Sequence, residues 1–167
     1  MKVRILPVGE LPQGLIPLLS DRLAPFGISG EVLGQVPVPG KARKGGSGPL
    51  RAEALVRLAA KRGTVVLAVT AEALCAEGYE FVFGYANIGS SGAVVSLARL
   101  RDPDLSRFLD RVVKEAVHEL GHTWGLVHCD SPACVMHHSE TVEDADTKQE
   151  GFCRECGGRV PFGVGKV

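Results

Sequence analysis

The sequence is poor in aromatic residues, has no net charge and has no long apolar segment. Aromatic side chains make up 5% of the 167 residues, so the core must consist mainly of Val, Leu, Ile and Ala. Nineteen Lys and Arg balance nineteen Asp and Glu, which argues against a general nucleic-acid-binding protein because such proteins are normally basic. The longest uncharged run, residues 81–98, is interrupted by Gly, Ser and Asn, so we expect no membrane-spanning helix.

We also expect no secretory signal peptide at the N-terminus. The apolar stretch at the N-terminus is short and ends before Glu10, whereas a signal peptide needs a longer apolar core. We therefore expect a cytoplasmic protein in a reducing environment. Its five cysteines, an odd number, fit poorly with a disulfide framework and indicate free or metal-bound thiols.

The hydrophobic pattern predicts strands and helices in alternation. Residues 28–38 are rich in β-forming residues but interrupted by Gly and Pro, and residues 39–49 form a predicted loop. The predicted strands are 2–8, 64–70, 80–86 and 93–97, and the predicted helices are 15–26, 51–61 and 104–125. This order predicts a mixed α/β (α+β) fold, with a mixed sheet packed by helices.

The last forty or so residues differ in character from the rest. They lack strong periodicity and contain four of the five cysteines and three of the five histidines. So small an irregular segment does not fold on apolar burial alone. We therefore divide the chain into an N-terminal subdomain, residues 1–128, and a C-terminal subdomain, residues 129–167.

A histidine motif of the form HExxHxxGxxH begins at His118. Residues four apart lie on one face of a helix, so His118 and His122 can bind the same zinc ion. If Gly125 ends the helix in a left-handed conformation, the chain reverses and brings His128 in as a third ligand. Three protein ligands leave a fourth position for water, which is typical of catalytic zinc. Glu119 is then the predicted general base, which takes a proton from the activated water and passes it to the leaving amine.

The cysteines near the C-terminus form two closely spaced pairs. Cys129 and Cys134 are separated by four residues, and Cys153 and Cys156 by two. Such pairs are typical of a closed, structural Cys₄ zinc site, whose binding energy can fold a small lobe. The alternatives are two disulfides, or a redox-active pair formed by Cys153 and Cys156. The remaining Cys75 is predicted to be a small buried side chain.

Taken together, these motifs resemble the archaemetzincin family, which is part of the metzincin zinc metallopeptidases. The resemblance lies in the third histidine followed directly by Cys129, in Cys134 two residues before Met136, and in the downstream pair of cysteines. It implies a metzincin-like fold, in which a twisted mixed sheet, a backing helix and the active-site helix lie above a small C-terminal subdomain. It also implies that Met136 lies in a tight turn beneath the zinc-binding histidines.

The resemblance further implies a peptide-binding edge strand at residues 80–86. Its unpaired backbone would bind an extended peptide by strand addition, and ordinary edge-strand packing is the alternative. Two roles stay open for His137 and His138, which either assist the site electrostatically or lie exposed to solvent. The candidate substrate-binding residues are Phe83, Gly84, Tyr85 and Ala86.

The sequence therefore predicts a monomeric zinc metallopeptidase that acts on peptides or proteins, with two Zn²⁺ per chain and no nucleic-acid or membrane partner. One alternative is a zinc-ribbon-type binding module with an inactive histidine site, which the intact Glu119 and the neutral charge disfavour. The other is a zinc amidase that acts on a small molecule. A long groove beside the edge strand would favour peptides, and a closed pocket would favour small amides.

Overall fold

Two mixed β-sheets, five α-helices and three short 3₁₀ turns make up the computed structural model, which describes residues 2–161. The predicted mixed α/β class is therefore confirmed. The strands are β1 (Lys2–Val8), β2 (Ser29–Val32), β3 (Leu50–Arg51), β4 (Val66–Thr70), β5 (Leu74–Ala76), β6 (Tyr79–Val82), β7 (Gly84–Ala86) and β8 (Gly92–Ser96). The helices are α1 (Leu15–Leu23), α2 (Ala52–Ala60), α3 (Leu105–Thr123), α4 (Val142–Thr147) and α5 (Arg154–Gly157). None of the helices in this range is long and apolar enough to cross a membrane.

The larger sheet has the strand order β2-β1-β4-β8-β7. Its first four strands are parallel, and β7 pairs with β8 in the antiparallel direction. A smaller sheet has the order β3-β5-β6, with β3 parallel and β6 antiparallel to β5. Within the described residues β7 is thus an edge strand of the larger sheet.

Helices cover both faces of the larger sheet, because its strands bury side chains on both sides. On β1, Val3 and Ile5 face the core shared with α1 and α3, whereas Leu6 and Val8 face the core shared with α2. All five residues of β4 are buried. This continuous burial is typical of a parallel strand covered on both faces.

The structure divides the predicted strand 80–86 between the two sheets. The chain bends at Phe83, whose ring is buried and meets the Phe81 ring edge-on at 5.4 Å between centroids. The Phe83 carbonyl accepts a 2.8 Å hydrogen bond from the Ser96 amide. β6 pairs with the preceding strand β5 in the smaller sheet, and β7 pairs with the following strand β8 in the larger sheet. The apolar pattern of this segment does not show which sheet each half joins, so it indicates one strand where the fold makes two.

Helix α1 is shorter than the predicted helix 15–26. It ends at Leu23 and is followed by a 3₁₀ turn over Ala24–Phe26. Pro25 has no amide hydrogen to continue the α-helical pattern, and Gly27 with φ 70° ends the turn. The predicted β-rich segment 28–38 contributes only β2 and an isolated bridge between Val36 and Val8.

The C-terminal segment packs directly beneath α3. It contains α4, which begins with a capping box between Thr141 and Asp144, and the single turn α5. Val135, Met136 and Phe152 belong to the same core cluster as the buried face of α3. The last part of the predicted C-terminal subdomain, residues 162–167, lies outside the described residues.

Candidate metal centre and cleft

Helix α3 carries the first part of the histidine motif. Its N-cap residue is Asp104, whose carboxylate accepts hydrogen bonds from the amides of Ser106 at 2.9 Å and Arg107 at 3.4 Å. It ends at Thr123, and Gly125 follows with φ 90°, in the left-handed region. This conformation reverses the chain, as the motif predicts, and brings His128 back towards the helix.

Three histidines meet at this helix end. The Nε2 atoms of His118 and His122 are 3.1 Å apart. The ring centroid of His128 lies 5.3 Å from that of His118 and 5.0 Å from that of His122. One ligand nitrogen from each residue lies within 4.8 Å of the others, so all three nitrogens can reach a single ion.

The other ring nitrogens fix the orientation of two of these histidines. Nδ1 of His118 donates to the Val135 carbonyl and Nδ1 of His122 to the Leu126 carbonyl, both at 2.8 Å. Each neutral ring then presents an unprotonated Nε2 to the cluster, as metal-bound imidazoles do.

The charge state of the histidines agrees with this geometry. Burial lowers the pKa of His118 well below its ordinary value, and the positive charge of Lys148 adds to the effect. Burial also lowers the pKa of His122, and burial together with His122 lowers the pKa of His128 to about 4. All three side chains are therefore neutral near pH 7, which is the form that binds a metal, and the donor set fits zinc.

Glu119 lies beside these rings on the same helix. Burial raises its pKa well above the ordinary value, and the nearby Glu115 raises the pKa further. Its Oε2 atom is buried without a hydrogen-bond partner among residues 2–161. A buried polar atom without a partner is rare in folded proteins, and this carboxylate lines the cleft where a water or substrate would bind.

Met136 lies in a turn, and its side chain packs against α3 at Gly121, between His118 and His122. Its side chain is fully buried. A side chain on Gly121 would overlap the Met136 sulfur, so the bare helix backbone rests directly on the methionine. The Met136 carbonyl accepts a 3.0 Å hydrogen bond from the Cys129 amide.

A second cluster collects four of the five cysteines. The sulfur atoms of Cys129, Cys134, Cys153 and Cys156 all lie within 4.8 Å of one another, and none of the cysteines forms a disulfide. Hydrogen bonding from the Cys156 amide lowers the pKa of Cys153, whereas burial raises the pKa of Cys134 and Cys156. Four convergent thiols fit a closed zinc site better than the alternative disulfides or redox pair. Cys75 lies buried on β5, away from this cluster.

An open cleft of about 690 Å³ passes over the histidine cluster. One wall is residues 78–86, the floor is the face of α3, and the opposite wall is residues 138–141. His138 lies in this cleft with its ring centroid 4.6 Å from that of His128, whereas His137 donates from Nδ1 to the Cys129 carbonyl at 2.8 Å. The four candidate substrate-binding residues Phe83, Gly84, Tyr85 and Ala86 all line the cleft.

Two charged residues at the site are missing from the sequence-based prediction. Lys148 is buried beneath the cleft, and its Nζ lies 2.8 Å from Oε1 of Glu115. Glu115 lines the cleft one turn before Glu119 on α3. Because Glu115 precedes Glu119 by four residues, the sequence indicates that both lie on the same face of the helix. Lys148 lies far along the chain, and no sequence pattern connects it to the site.

Comparison with known proteins agrees with this geometry. The model of Peptidase family M54 matches residues 54–160. An archaemetzincin of Natronomonas pharaonis is 38% identical over 168 aligned residues, which cover 93% of this chain and 97% of that protein. An archaemetzincin of Methanopyrus kandleri is 53% identical over 91 residues, but the match spans only 52% of that protein.

Solved structures show the same relationship. The crystal structure of archaemetzincin (AmzA) from Archaeoglobus fulgidus in complex with malonate has a TM-score of 0.87 and 35% sequence identity. The alignment covers 96% of this chain and 100% of that chain. The fold and the histidine cluster thus place this chain in the class of zinc metallopeptidases. Within that class, the chain belongs to Peptidase family M54.

Proposed function

We propose that this chain hydrolyses peptide bonds in extended peptide or protein segments that bind along the cleft. The observation that carries the proposal is the convergence of three neutral imidazole nitrogens next to the buried Glu119 on the floor of an open cleft. The zinc-ribbon-type binding module is disfavoured, because such a module has no need of a buried carboxylate beside a histidine cluster.

In this proposal each site residue has a distinct role. His118, His122 and His128 hold the catalytic zinc. Zinc, when bound, supplies Lewis-acid chemistry that acidifies water and polarises the substrate carbonyl. Glu119 accepts a proton at its unpartnered Oε2 and returns it to the leaving amine.

A second zinc belongs to the cysteine cluster. A site with four protein ligands leaves no open position, so its role is structural. This zinc would join the two ends of the C-terminal segment. Cys129 and Cys134 lie at the start of the segment, and Cys153 and Cys156 lie near its end. Two zinc ions per chain, one catalytic and one structural, are therefore part of the proposal.

Substrate would bind along Phe83, Gly84, Tyr85 and Ala86. The β7 strand pairs only with β8 among the described strands, so its other edge offers backbone groups to an extended peptide. The cleft follows this edge as an open groove, which favours peptides over the small amides of the alternative zinc amidase. We also propose that the enzyme acts as a cytoplasmic monomer.

The test is the replacement Glu119→Gln, which keeps the side-chain shape but removes the base. We expect hydrolysis of a fluorescence-quenched peptide library to fall by at least about 10²–10⁴-fold, the usual contribution of general base catalysis. Zinc content measured by mass spectrometry should stay unchanged, because Glu119 is not a proposed ligand. Glu10→Gln, an exposed substitution far from the cleft, is the matched control and should keep full activity.

Two results would contradict the proposal. Full peptidase activity of the Glu119→Gln enzyme would remove Glu119 from its proposed role. Hydrolysis of small acylated amides with no cleavage anywhere in the peptide library would favour the amidase instead. A chelator should abolish hydrolysis in either case, so it serves as the check that a metal is required.

A further inference from the structure

Gly84, at the start of β7, lies against the side chain of Glu119. A Cβ atom built on Gly84 would lie 2.7 Å from both Cγ and Oε1 of Glu119, and 2.9 Å from the Val94 carbonyl oxygen. Contacts of this length are far inside the optimal separation of non-bonded atoms. Any side chain at position 84 would therefore have to move the Glu119 carboxylate.

The backbone conformation of Gly84 does not require a glycine, and the second group that a side chain there would meet is the Val94 carbonyl. Gly84 is not among the glycines with positive φ, so its conformation is open to any residue. It pairs regularly with Val95 on β8. Glycine inside a regular strand often marks a place where a ligand or another backbone approaches closely, and here the close neighbour is the carboxylate.

This contact fixes the position of Glu119 relative to the edge strand. Oε1 lies against Gly84, whereas Oε2 is the oxygen without a hydrogen-bond partner among residues 2–161. The carboxylate is thus held between the helix and β7 with Oε2 as the atom available to a proton. A peptide paired along the open edge of β7 would pass this carboxylate at the position of Gly84.

We propose that Gly84 is a positioning residue for Glu119 and sets the register of the substrate, so that the cleaved bond lies opposite Gly84 on the edge strand. The register rests on the peptidase function proposed above, whereas the contact between Gly84 and Glu119 does not. The absence of a side chain on Gly84 leaves room for the Glu119 carboxylate and also for the approaching peptide backbone, because these two groups occupy neighbouring space.

Replacing Gly84 with alanine tests the catalytic consequence. Displacing a reacting group by about 1 Å costs on the order of 10²-fold in rate, so we expect kcat of Gly84→Ala to fall about 100-fold. Most of the loss should appear in kcat rather than in KM, because the backbone groups of β7 that would pair with the peptide are kept. Zinc content should stay at the wild-type level, because the histidines are not altered. Gly34→Ala is the matched control, since a Cβ there meets nothing within 4 Å.

A double-mutant cycle tests the contact without any measurement of activity. Gly84→Ala should lower the melting temperature of the zinc-loaded protein by about 2–12 °C, because the added methyl group overpacks the contact with the buried Glu119 side chain. Most of this loss should disappear in a Glu119→Ala background, where Cγ and Oε1 are gone. The Val94 carbonyl is the same in both backgrounds, so its effect cancels. If Gly84→Ala alone does not fold, recovery of folding in the Glu119→Ala background gives the same answer.

Additive melting shifts, or a loss of activity confined to KM, would overturn the proposal. A coupled cycle together with a wild-type protein that hydrolyses small acylated amides but no peptide in the library would overturn the peptidase function and the register, but would leave the positioning contact in place. The two proposals can therefore fail separately.

Discussion

At the scale of single residues, the buried charge of Lys148 is the most unusual feature of the molecule. Its side chain has no exposed area, and its Nζ lies 2.8 Å from Oε1 of Glu115, which is itself buried. The same amino group donates to the His137 carbonyl at 3.4 Å. Lysine is almost never fully buried without a partner. This ion pair joins the floor of the cleft to the segment beneath it.

Removing one member of the pair should destabilise the protein strongly. Lys148→Met leaves Glu115 buried without its counter-charge, and such a loss costs about 3–5 kcal/mol. Urea denaturation of the zinc-loaded protein, followed by circular dichroism, measures the change in the free energy of unfolding.

The double variant Glu115→Gln/Lys148→Met is the matched control for this prediction. It removes both charges, so it should recover part of the lost stability. A double variant that is less stable than Lys148→Met alone would show that the pairing of the two charges is not the cause.

At the scale of elements, α3 organises the site and holds the C-terminal segment. Its buried Arg111 donates from Nε and Nη2 to both carboxylate oxygens of Asp146 on α4, at 2.7 and 2.6 Å. Arg111 also lies 3.2 Å from Asp102, which precedes the helix. A two-pronged contact of this kind fixes orientation as well as distance. The helix that bears the histidines is thereby locked to the segment that carries the cysteines.

The contact between Arg111 and Asp146 should make stability depend on pH. The hydrogen bond from Arg111 lowers the pKa of Asp146 below its ordinary value of 3.8. The stabilisation is therefore complete above pH 3.8 and is lost as the pH falls through the lower pKa of the folded state. Asp146 is partly exposed, so Asp146→Asn should cost only about 1 kcal/mol at pH 7.

Denaturation of both proteins at pH 7 and at pH 3 tests this dependence. The difference between wild type and Asp146→Asn should shrink at the lower pH. Asp21→Asn, an exposed substitution on α1, should change the free energy of unfolding by less than about 0.5 kcal/mol. A difference for Asp146→Asn that is constant across this range would show that the charge of Asp146 does not contribute.

At the scale of the whole molecule, the two proposed zinc sites have separate structural consequences. The histidine cluster lies in a fold whose core is already continuous through α3 and the larger sheet. The cysteine cluster instead connects the turns and short helices of the C-terminal segment, which contributes a smaller set of side chains to that core, such as Val135, Met136 and Phe152. We therefore expect loss of the second zinc to loosen the C-terminal segment without unfolding the sheet.

Zinc analysis of three variants tests this division. Wild-type protein should contain two zinc ions per chain, and His118→Ala and Cys156→Ser should each contain one. In Cys156→Ser, hydrogen exchange should quicken across residues 129–161 and stay unchanged in the strands of the larger sheet. Cys75→Ala, which removes a thiol outside the cluster, should keep both ions. A Cys156→Ser protein with two zinc ions would contradict the assignment.

Much of the fold and of the site could be predicted because the signals are local. β1 matches its predicted bounds Lys2–Val8, and α2 and α3 lie within one or two residues of theirs. Burial on alternating or helical faces repeats over a few residues, so it is visible in the sequence. The prediction of one strand over 80–86 was wrong, because the structure divides this segment at Phe83 between two sheets and the apolar pattern does not show which sheet each half joins.

The sequence by itself determined the chemistry of the two clusters. The spacing of the histidine motif within one helix and the following turn, and the two cysteine pairs, restrict where the ligands can lie. Only the tertiary structure decided what surrounds them, namely the Lys148–Glu115 ion pair and the approach of Gly84 to Glu119. Helical geometry fixes neighbours three or four residues apart. Contacts between residues tens of positions apart depend instead on how the sheets, helices and turns pack.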